Sequence, residues 1–215
     1  MSKKMKLVVF ISGSGTNLQA LIDNCRREDY PARIVAVVSN NPQAYGLVRA
    51  DQAGIPTVIV PHQGFRNRRE HETEILRRLR PFEPELCVLA GYMRVVTPLL
   101  IDSFYNREKD LPGVVNIHPA DTRQYQGAHG YEFALGLLEG SRRLEKTYIT
   151  VHFVDPGVDT GPIILQAPVE VHADDTIDSL RQRGLEVEHR LYPQAVRLIA
   201  EGKVRLVDGR VHILA

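Results

Sequence analysis

The segment Asn116-Ile117-His118-Pro119 carries an amide and an imidazole two residues apart. It ends an apolar run at 113–115 that is typical of a β-strand, so the side chains of Asn116 and His118 are expected on one face. Asn offers a neutral hydrogen-bond donor, and His transfers protons near pH 7. Acyl transfer needs a donor for an oxyanion and a carrier for a proton, so the segment predicts a catalytic pair. Alternatively, both side chains only satisfy backbone groups in a turn, where Pro119 stops the strand.

A glycine-rich turn at 12–17, with the sequence SGSGTN, follows the first predicted strand and opens the first predicted helix. Its glycines let backbone N–H groups approach a ligand, and the helix N-terminus favours negative charge. Thr16 and Asn17 are natural N-cap residues whose side chains can bind the same anion. The turn lacks the Gly-Lys-Ser/Thr ending of a nucleoside-triphosphate loop and the third glycine of a dinucleotide fingerprint. It therefore predicts a monophosphate ligand, although such turns are also common without one.

An acidic loop at 155–162 follows a later predicted strand and places Asp159 among glycines and prolines. If Asp159 approaches His118, its negative charge favours the imidazolium and raises the pKa of that histidine. The alternative is a turn aspartate that bonds its own backbone. His152, in the strand before the loop, is either a core histidine or a residue that orients the site.

The elements that must position these residues alternate along the first half of the chain. Strands are predicted at 7–12, 33–39, 56–60 and 85–91, and helices at 18–27, 45–53 and 67–80. This alternation predicts right-handed βαβ units and a parallel sheet buried on both faces. Beyond 110, strands are predicted at 114–118, 149–154 and 163–171, helices at 131–139 and 175–201, and a hairpin at 204–214.

The predicted fold class is therefore α/β, with a mostly parallel twisted sheet, helices on both faces and a C-terminal hairpin. The hairpin is predicted from the turn Asp208-Gly209 between two short apolar runs. One domain is expected at 1–215, with a phosphate-binding βαβ half at 1–110 and a catalytic half at 111–215.

Composition narrows the function classes. The chain has 215 residues, of which 43% are hydrophobic and 25% charged, with a formal net charge of +1. These values are ordinary for a soluble globular protein and imply no general attraction to nucleic acid or to a membrane. The basic start 1–6 and the apolar run 7–11 are too short for a signal peptide and lack a cleavage pattern. Cys25 and Cys87 are expected to be buried reduced thiols, which predicts a cytoplasmic location.

Together these segments resemble the phosphoribosylglycinamide formyltransferases over nearly the whole chain. Five motifs carry the resemblance in the family's order: ISGSGTNLQA at 11–20, LAGYMR at 89–94, NIHP at 116–119, VHFV at 151–154 and DTGPII at 159–164. The resemblance implies a Rossmann-like formyltransferase fold. It also implies transfer of a formyl group, without a metal, from 10-formyltetrahydrofolate to the amine of glycinamide ribonucleotide in purine biosynthesis.

The same resemblance implies a role for each matching residue. Asn116 binds the formyl oxygen as it becomes an oxyanion, His118 donates a proton, and Asp159 keeps His118 protonated. The implied phosphate and ribonucleotide ligands are Gly15, Thr16, Asn17 and Glu188. The implied folate ligands are Arg68, Met93, Arg94, Val95, Val96 and Asn116. The other charges of the predicted helix around Arg68 are expected to form a solvated face.

The chain departs from the family's pattern around the catalytic strand. The family usually continues after His-Pro with Ser-Leu-Leu-Pro, where this chain has ADTRQ at 120–124, and 107–113 and 141–146 resemble short insertions. These changes bear on the acceptor amine more than on the chemistry. Asp121 and Arg123 either pair with each other, or one of them contacts the substrate.

Three other functions stay open at this point: hydrolysis of formyltetrahydrofolate, formyl transfer to a different amine, and binding of a phosphate ligand without catalysis. The last has no need of Asn116, His118 and Asp159 together. The hydrolases usually carry an additional N-terminal domain and the methionyl-tRNA transferases a C-terminal one, and we expect neither in 215 residues. Expected partners are the two small-molecule substrates, with no nucleic acid and no membrane, and a homodimer is left open.

Overall fold

The computed structural model describes residues 3–214, so the first two residues of the basic start at 1–6, and Ala215, lie outside the described part. The strands are β1 Met5–Ile11, β2 Ala32–Ser39, β3 Thr57–Ile59, β4 Leu86–Leu89, β5 Val114–His118, β6 Lys146–Phe153, β7 Ile163–Glu170, β8 Val204–Val207 and β9 Arg210–Ile213. The α-helices are α1 Thr16–Cys25, α2 Tyr45–Gln52, α3 Arg68–Leu79, α4 Pro98–Ser103, α5 Gly130–Ala134 and α6 Ile177–Ala200.

Seven strands form one sheet in the order β3-β2-β1-β4-β5-β6-β7. The pairs from β3 to β5 are parallel, and β6 and β7 add two antiparallel pairs at one edge. The predicted α/β class with a mostly parallel sheet is confirmed. The segment 116–119, predicted to be catalytic, therefore lies where the pairing direction changes.

The sheet is buried on both faces, as the continuous apolar runs predict. Alternate residues of β1 enter different cores: Leu7, Val9 and Ile11 pack in one cluster with residues of α1 and α6. Val8 and Phe10 pack in the other cluster with residues of α3 and α4. One strand thus anchors both helical layers.

Helix α6, with 24 residues, is the longest of the helices listed above. It packs against α1 and the central strands. It begins with a capping box in which Thr176 and Ser179 satisfy each other's backbone N–H groups. The buried hydroxyl of Tyr192 lies 2.9 Å from the carbonyl of Leu89 and 3.1 Å from that of Val115. These two carbonyls belong to the last residue of β4 and the second residue of β5, so α6 is hydrogen-bonded directly to the central strands beside Asn116.

The observed helices differ from the predicted ones at two places. Helix α4 was not predicted, because six residues that start with Pro98 show too little periodicity to stand out. The helix predicted at 131–139 ends at Ala134, because Gly136 has a φ of +70° and Leu135 forms a bridge with Arg143. The segment 141–146 then leads directly into β6, which begins three residues before its predicted start.

The C-terminal hairpin β8–β9 is confirmed. Its turn residues Asp208 and Gly209 have φ values of +49° and +71°, as a two-residue hairpin turn requires. Within the part of the chain from 3 to 214, no helix is both long enough and apolar enough to cross a membrane.

Candidate active site

Strand β5 carries Asn116 and His118 into the site. The two residues alternate with Ile117, so their side chains leave the strand on the same face. His118 is 5% exposed, and Asn116 is half-buried. Across the antiparallel pair, Asn116 lies opposite His152, and His118 lies opposite Thr150 of β6. The change to antiparallel pairing therefore puts polar side chains of a second strand beside the predicted pair.

Asp159 lies in the loop between β6 and β7, with a φ of +52°. Its Oδ2 atom lies 3.4 Å from Nδ1 of His118 and accepts the backbone N–H of Gly127 at 2.9 Å. Its Oδ1 atom accepts a hydrogen bond from Nδ2 of Asn116 at 3.2 Å. The structure thus brings the three predicted catalytic residues together. The role of turn aspartate belongs instead to Asp155, which accepts a backbone N–H of its own loop.

Burial and charge oppose each other in this cluster. Burial raises the pKa of Asp159, but the neighbouring imidazoles and the N–H of Gly127 outweigh burial and lower that pKa to about 2. Burial lowers the pKa of His118 from 6.5 and outweighs the charge of Asp159, which raises it. The prediction that Asp159 keeps His118 protonated therefore needs correction. The carboxylate acts with the predicted sign, but desolvation of the imidazole is the larger effect.

The proton of a neutral His118 belongs on Nδ1, because that nitrogen faces the carboxylate of Asp159. Nε2 then carries the lone pair. This atom is buried and has no hydrogen-bond partner among residues 3–214. An imidazole nitrogen in this state can take a proton from a bound group and return it.

His152 forms part of the same cluster rather than of the apolar core alone. It is 1% exposed, and its Nδ1 atom lies 2.7 Å from the carbonyl oxygen of Phe153. Its Nε2 atom lies 3.4 Å from Oδ1 of Asp159 and 3.5 Å from Nδ2 of Asn116. Of the two alternatives that the sequence leaves open, the geometry favours a residue that orients the site.

These side chains line a cleft of about 470 Å³. Among the residues matched to folate ligands, Met93, Arg94, Val95 and Val96 also line it. Met93 is 77% exposed and Val95 43% exposed, so the cleft presents unpartnered apolar surface. Arg68 is exposed at the start of α3 and does not line the cleft.

The glycine turn has a different local geometry from the one predicted. The N-cap of α1 is Gly15, with a φ of +70°, and Thr16 is the first helical residue. No side chain caps the helix, so the predicted caps Thr16 and Asn17 do not occupy the first-turn N–H groups. Gly15 also packs against Gly46 of α2, where an added Cβ would lie 2.6 Å from the Gly46 Cα. The turn is thus tightly held with its N–H groups left for an anion.

The side chain of Asn17 points to a buried partner. Its Nδ2 atom donates to Glu188 Oε2 at 2.5 Å, and the hydroxyl of Tyr131 donates to Oε1 at 3.1 Å. Burial raises the pKa of Glu188, and these two hydrogen bonds oppose that rise. Gly184 makes room for the arrangement, since a Cβ there would lie 2.1 Å from the Tyr131 hydroxyl. Through its hydrogen bond with Asn17, Glu188 thus stabilises the first turn of α1, next to the glycine turn.

The glycine turn and the cleft are neighbours but not one cavity. Ser12 links them, because its N–H donates to the carbonyl of Gly91 at 3.1 Å and its Oγ accepts the N–H of Met93 at 2.9 Å. None of the residues 12–17 lines the cleft. Thr16 instead lines a second cavity, of about 350 Å³, together with Arg49 and His189.

Arg49 is a residue near the turn that the sequence did not single out. Its Nε atom donates to the carbonyl of Ser14 at 2.9 Å, and its NH1 atom donates to Gln19 at 3.3 Å. The only signal for it is its place three residues after Gly46, because one arginine in a short helix is not distinctive.

The departure at 120–124 forms a local ion pair. Arg123 donates to both carboxylate oxygens of Asp121, each at 2.9 Å, and also to Gln166. Neither Asp121 nor Arg123 lines the cleft. Of the two predicted alternatives, the structure shows the pairing. Elsewhere, within residues 3–214, no three His, Cys, Asp or Glu side chains are grouped so that they could hold a metal ion.

Comparisons with known proteins agree with this geometry. A family model described as "Formyl transferase" matches residues 5–196. A phosphoribosylglycinamide formyltransferase from Haemophilus influenzae is 39% identical over 97% of this chain and 93% of its own length. The trifunctional purine biosynthetic protein adenosine-3 of Drosophila melanogaster is 40% identical over 93% of this chain, which spans only 14% of that longer protein. Among solved structures, glycinamide ribonucleotide transformylase 1 from Symbiobacterium toebii superposes with a TM-score of 0.91 at 40% identity, covering 100% of this chain and 96% of that one.

Proposed function

The chain belongs to the formyl transferase family, and we propose from this membership that it transfers the formyl group of 10-formyltetrahydrofolate to the amine of glycinamide ribonucleotide. This reaction is a step of purine biosynthesis. The observation that carries the proposal is the convergence of Asn116, His118 and Asp159 in one cleft. An oxyanion donor, a proton carrier and a carboxylate are the groups that such a transfer requires.

Asn116 supplies the hydrogen bond to the developing oxyanion. Its amide has two N–H groups, and one of them is directed at Asp159. The other is left for the formyl oxygen when the amine nitrogen bonds to the formyl carbon. A neutral donor is suited to this role because the negative charge exists only in the transition state and in the tetrahedral intermediate.

His118 moves the proton that the reaction must relocate. The attacking amine loses a proton as its bond to the formyl carbon forms, and the folate nitrogen gains one as its bond to that carbon breaks. Nε2 of a neutral His118 takes the first proton, and the imidazolium then donates it to the departing nitrogen. Asp159 favours the imidazolium in between, at a distance of 3.4 Å from Nδ1.

The two substrates are assigned to adjacent surfaces. The exposed apolar side chains of Met93, Val95 and Val158 in the cleft suit a flat heterocycle such as the pterin. The uncapped first turn of α1 suits the ribonucleotide phosphate, with Gly15 allowing close backbone approach. The roles of Glu188 as a ribonucleotide ligand and of Arg68 as a folate ligand stay predictions. Glu188 is bonded to Asn17 and Tyr131 in the structure, and Arg68 does not line the cleft.

Absorbance of the folate on mixing protein with 10-formyltetrahydrofolate tests the proposal. We expect an absorbance change only when glycinamide ribonucleotide is present. The reaction should form one formylated amine for each folate released. A change without the ribonucleotide would indicate hydrolysis. A lack of change under both conditions, with binding retained, would indicate a binding protein. An absorbance change with another amine alone would indicate a different acceptor.

Four further points stay predictions for this chain. They are the cytoplasmic location, the absence of nucleic-acid partners, the absence of membrane partners, and the homodimer. Size-exclusion chromatography with light scattering tests the last of these.

A further inference from the structure

Helix α2 contacts the glycine turn at 12–17 through two hydrogen bonds to backbone carbonyl groups. The N–H of Gly46 donates to the carbonyl of Gly13 at 3.0 Å. Nε of Arg49, about one turn further along α2, donates to the carbonyl of Ser14 at 2.9 Å. Two successive peptide groups of the turn, 13–14 and 14–15, are therefore held by the same helix.

These two bonds determine where the N–H groups of the turn point. No peptide bond among residues 3–214 is cis, and in a trans peptide group the N–H points opposite to the carbonyl. Because the carbonyls of Gly13 and Ser14 are directed at α2, the N–H groups of Ser14 and Gly15 point away from α2. Within the described part of the chain, neither N–H group donates to a backbone carbonyl. Successive N–H groups of this kind in a turn form a concave site for an anion.

The peptide group 14–15 needs a restraint to stay in this orientation. Gly15 has a φ of +70°, but glycine adopts negative φ values about as readily. A flip of the peptide group would turn the Gly15 N–H toward α2 and the Ser14 carbonyl toward the anion site, where its negative end repels an anion. Arg49 opposes the flip, because its guanidinium would then face an N–H donor instead of a carbonyl.

The side chain of Arg49 is itself fixed. Its Nη1 atom donates to the side-chain oxygen of Gln19 at 3.3 Å, and its guanidinium carbon lies 5.0 Å from the ring centroid of Tyr45. We propose that Arg49 is a positioning residue that directs the N–H of Gly15 at the phosphate of the ribonucleotide. This proposal rests on the proposed function, which assigns that phosphate to the turn.

Two matched substitutions of Arg49 separate the hydrogen bond from the charge. Glutamine carries its Nε2 atom at the same position along the side chain as Nε of arginine, so Arg49→Gln keeps a donor for Ser14 without the charge. Arg49→Met has the same length and no donor. We expect Arg49→Met to raise KM for glycinamide ribonucleotide at least about tenfold, as the loss of one hydrogen bond to a charged group implies. Its kcat should stay within about threefold, because the phosphate contributes binding and not chemistry. Arg49→Gln should bring KM most of the way back to that of the unaltered protein.

Arg143 provides a matched control. Its guanidinium also donates to backbone carbonyls, those of His172 at 2.7 Å and Asp175 at 3.3 Å. It lines neither of the two cavities described above. Arg143→Met should lower the melting temperature and leave KM for both substrates unchanged. If Arg49→Met does not fold, Arg49→Leu takes its place.

Inorganic phosphate provides an arm of the experiment without turnover. In 15N-correlated NMR spectra of the unaltered protein, added phosphate should shift the backbone amide signals of Ser14 and Gly15. Arg49→Met should broaden or displace the Gly15 signal before phosphate is added and should reduce its response to phosphate, whereas Arg49→Gln should preserve both.

Equal rises of KM in the Gln and Met variants would assign the effect to charge and overturn the proposal. A Gly15 signal that Arg49→Met leaves unchanged would overturn it as well. If the unaltered protein transfers no formyl group while the phosphate results hold, the proposed function fails and the role of Arg49 at the anion site stands.

Discussion

Oδ2 of Asp159 lies 3.4 Å from Nδ1 of His118, although one residue belongs to a loop and the other to the end of a central strand. The pair is 12% and 6% exposed at its side chains, so solvent screens their interaction only weakly. Burial nevertheless outweighs the attraction at His118 and leaves its pKa below the ordinary value. The proposed mechanism therefore starts from a neutral imidazole beside the negative charge of Asp159.

Asp159→Asn should lower kcat about 10²-fold or more, within the range known for general acid–base groups. The variant removes the charge that favours the His118 imidazolium during proton transfer. Affinity for the ribonucleotide, measured by calorimetry, should change less than about threefold, since residues 12–17 do not line this cleft. Asp155→Asn serves as the control for loop structure, because Asp155 bonds its own loop. Near-normal turnover in Asp159→Asn would exclude the carboxylate from the mechanism.

The pH dependence of kcat/KM should report the neutral form of His118. Because burial lowers its pKa from 6.5, the midpoint of the acidic fall in rate should lie below pH 6.5. Asp159 raises this pKa, so Asp159→Asn should move the acidic limb further toward low pH. A limb above pH 6.5, or a shift in the opposite direction, would contradict the assignment of His118 as the base.

Gly15→Ala should disturb the glycine turn at 12–17. A side chain at a φ of +70° costs about 1–2 kcal/mol, and its Cβ would lie 2.6 Å from the Gly46 backbone. We expect the free energy of unfolding to fall by about 2–4 kcal/mol and KM for the ribonucleotide to rise at least about tenfold. Gly54→Ala is the control, because Gly54 has a φ of +68° but open space around its Cα. An equal effect of both variants on KM would argue against an anion site at the turn.

Glu188→Gln should change the pH dependence of stability. Burial raises the pKa of Glu188 above 4.5, so its contribution is full at low pH and is lost as the pH rises through the folded-state value. Glutamine escapes this loss and can still accept from Asn17 and donate to the Tyr131 hydroxyl. Denaturant unfolding should show the variant gaining on the unaltered protein as the pH rises above 4.5. Glu186→Gln, at an exposed position of the same helix, should show no such gain.

Arg123→Ala tests the altered loop. Its guanidinium pairs with Asp121, but the Arg123 side chain is 66% exposed, so solvent screens the pair and it should contribute little to stability. Because neither residue lines the cleft, kcat and both KM values should stay within about twofold. A raised KM for the ribonucleotide alone would show that the loop does influence the acceptor.

The sequence predicted local features better than contacts between distant segments. The hairpin turn at Asp208 and Gly209 needs only residues that tolerate positive φ, and the pair Asn116 and His118 needs only the two-residue period of a strand. Helix α5 was predicted too long because an isolated glycine, Gly136, can be either a helix interior residue or its end.

Contacts between distant segments had weaker signals. Asn17 is a residue type that often caps helices, yet its side chain donates a hydrogen bond to Glu188, near the other end of the chain. No local pattern distinguishes these two uses. Likewise, whether the pKa of His118 is raised or lowered depends on how deeply the imidazole is buried. Composition and spacing do not give that burial. The two alternatives for His152 stayed open because its neighbours depend on the register of β6 against β5, which the sequence does not give.

Tyr192 places its hydroxyl between the carbonyls of Leu89 and Val115, one turn of α6 away from Glu188. Helix α6 is therefore hydrogen-bonded both to the central strands β4 and β5 and, through Glu188, to Asn17 at the start of α1. A division of the chain near residue 110 would leave its amino-terminal piece without the helix that packs on α1 and without the strands beyond β4. We infer that the two portions cannot act as separable modules.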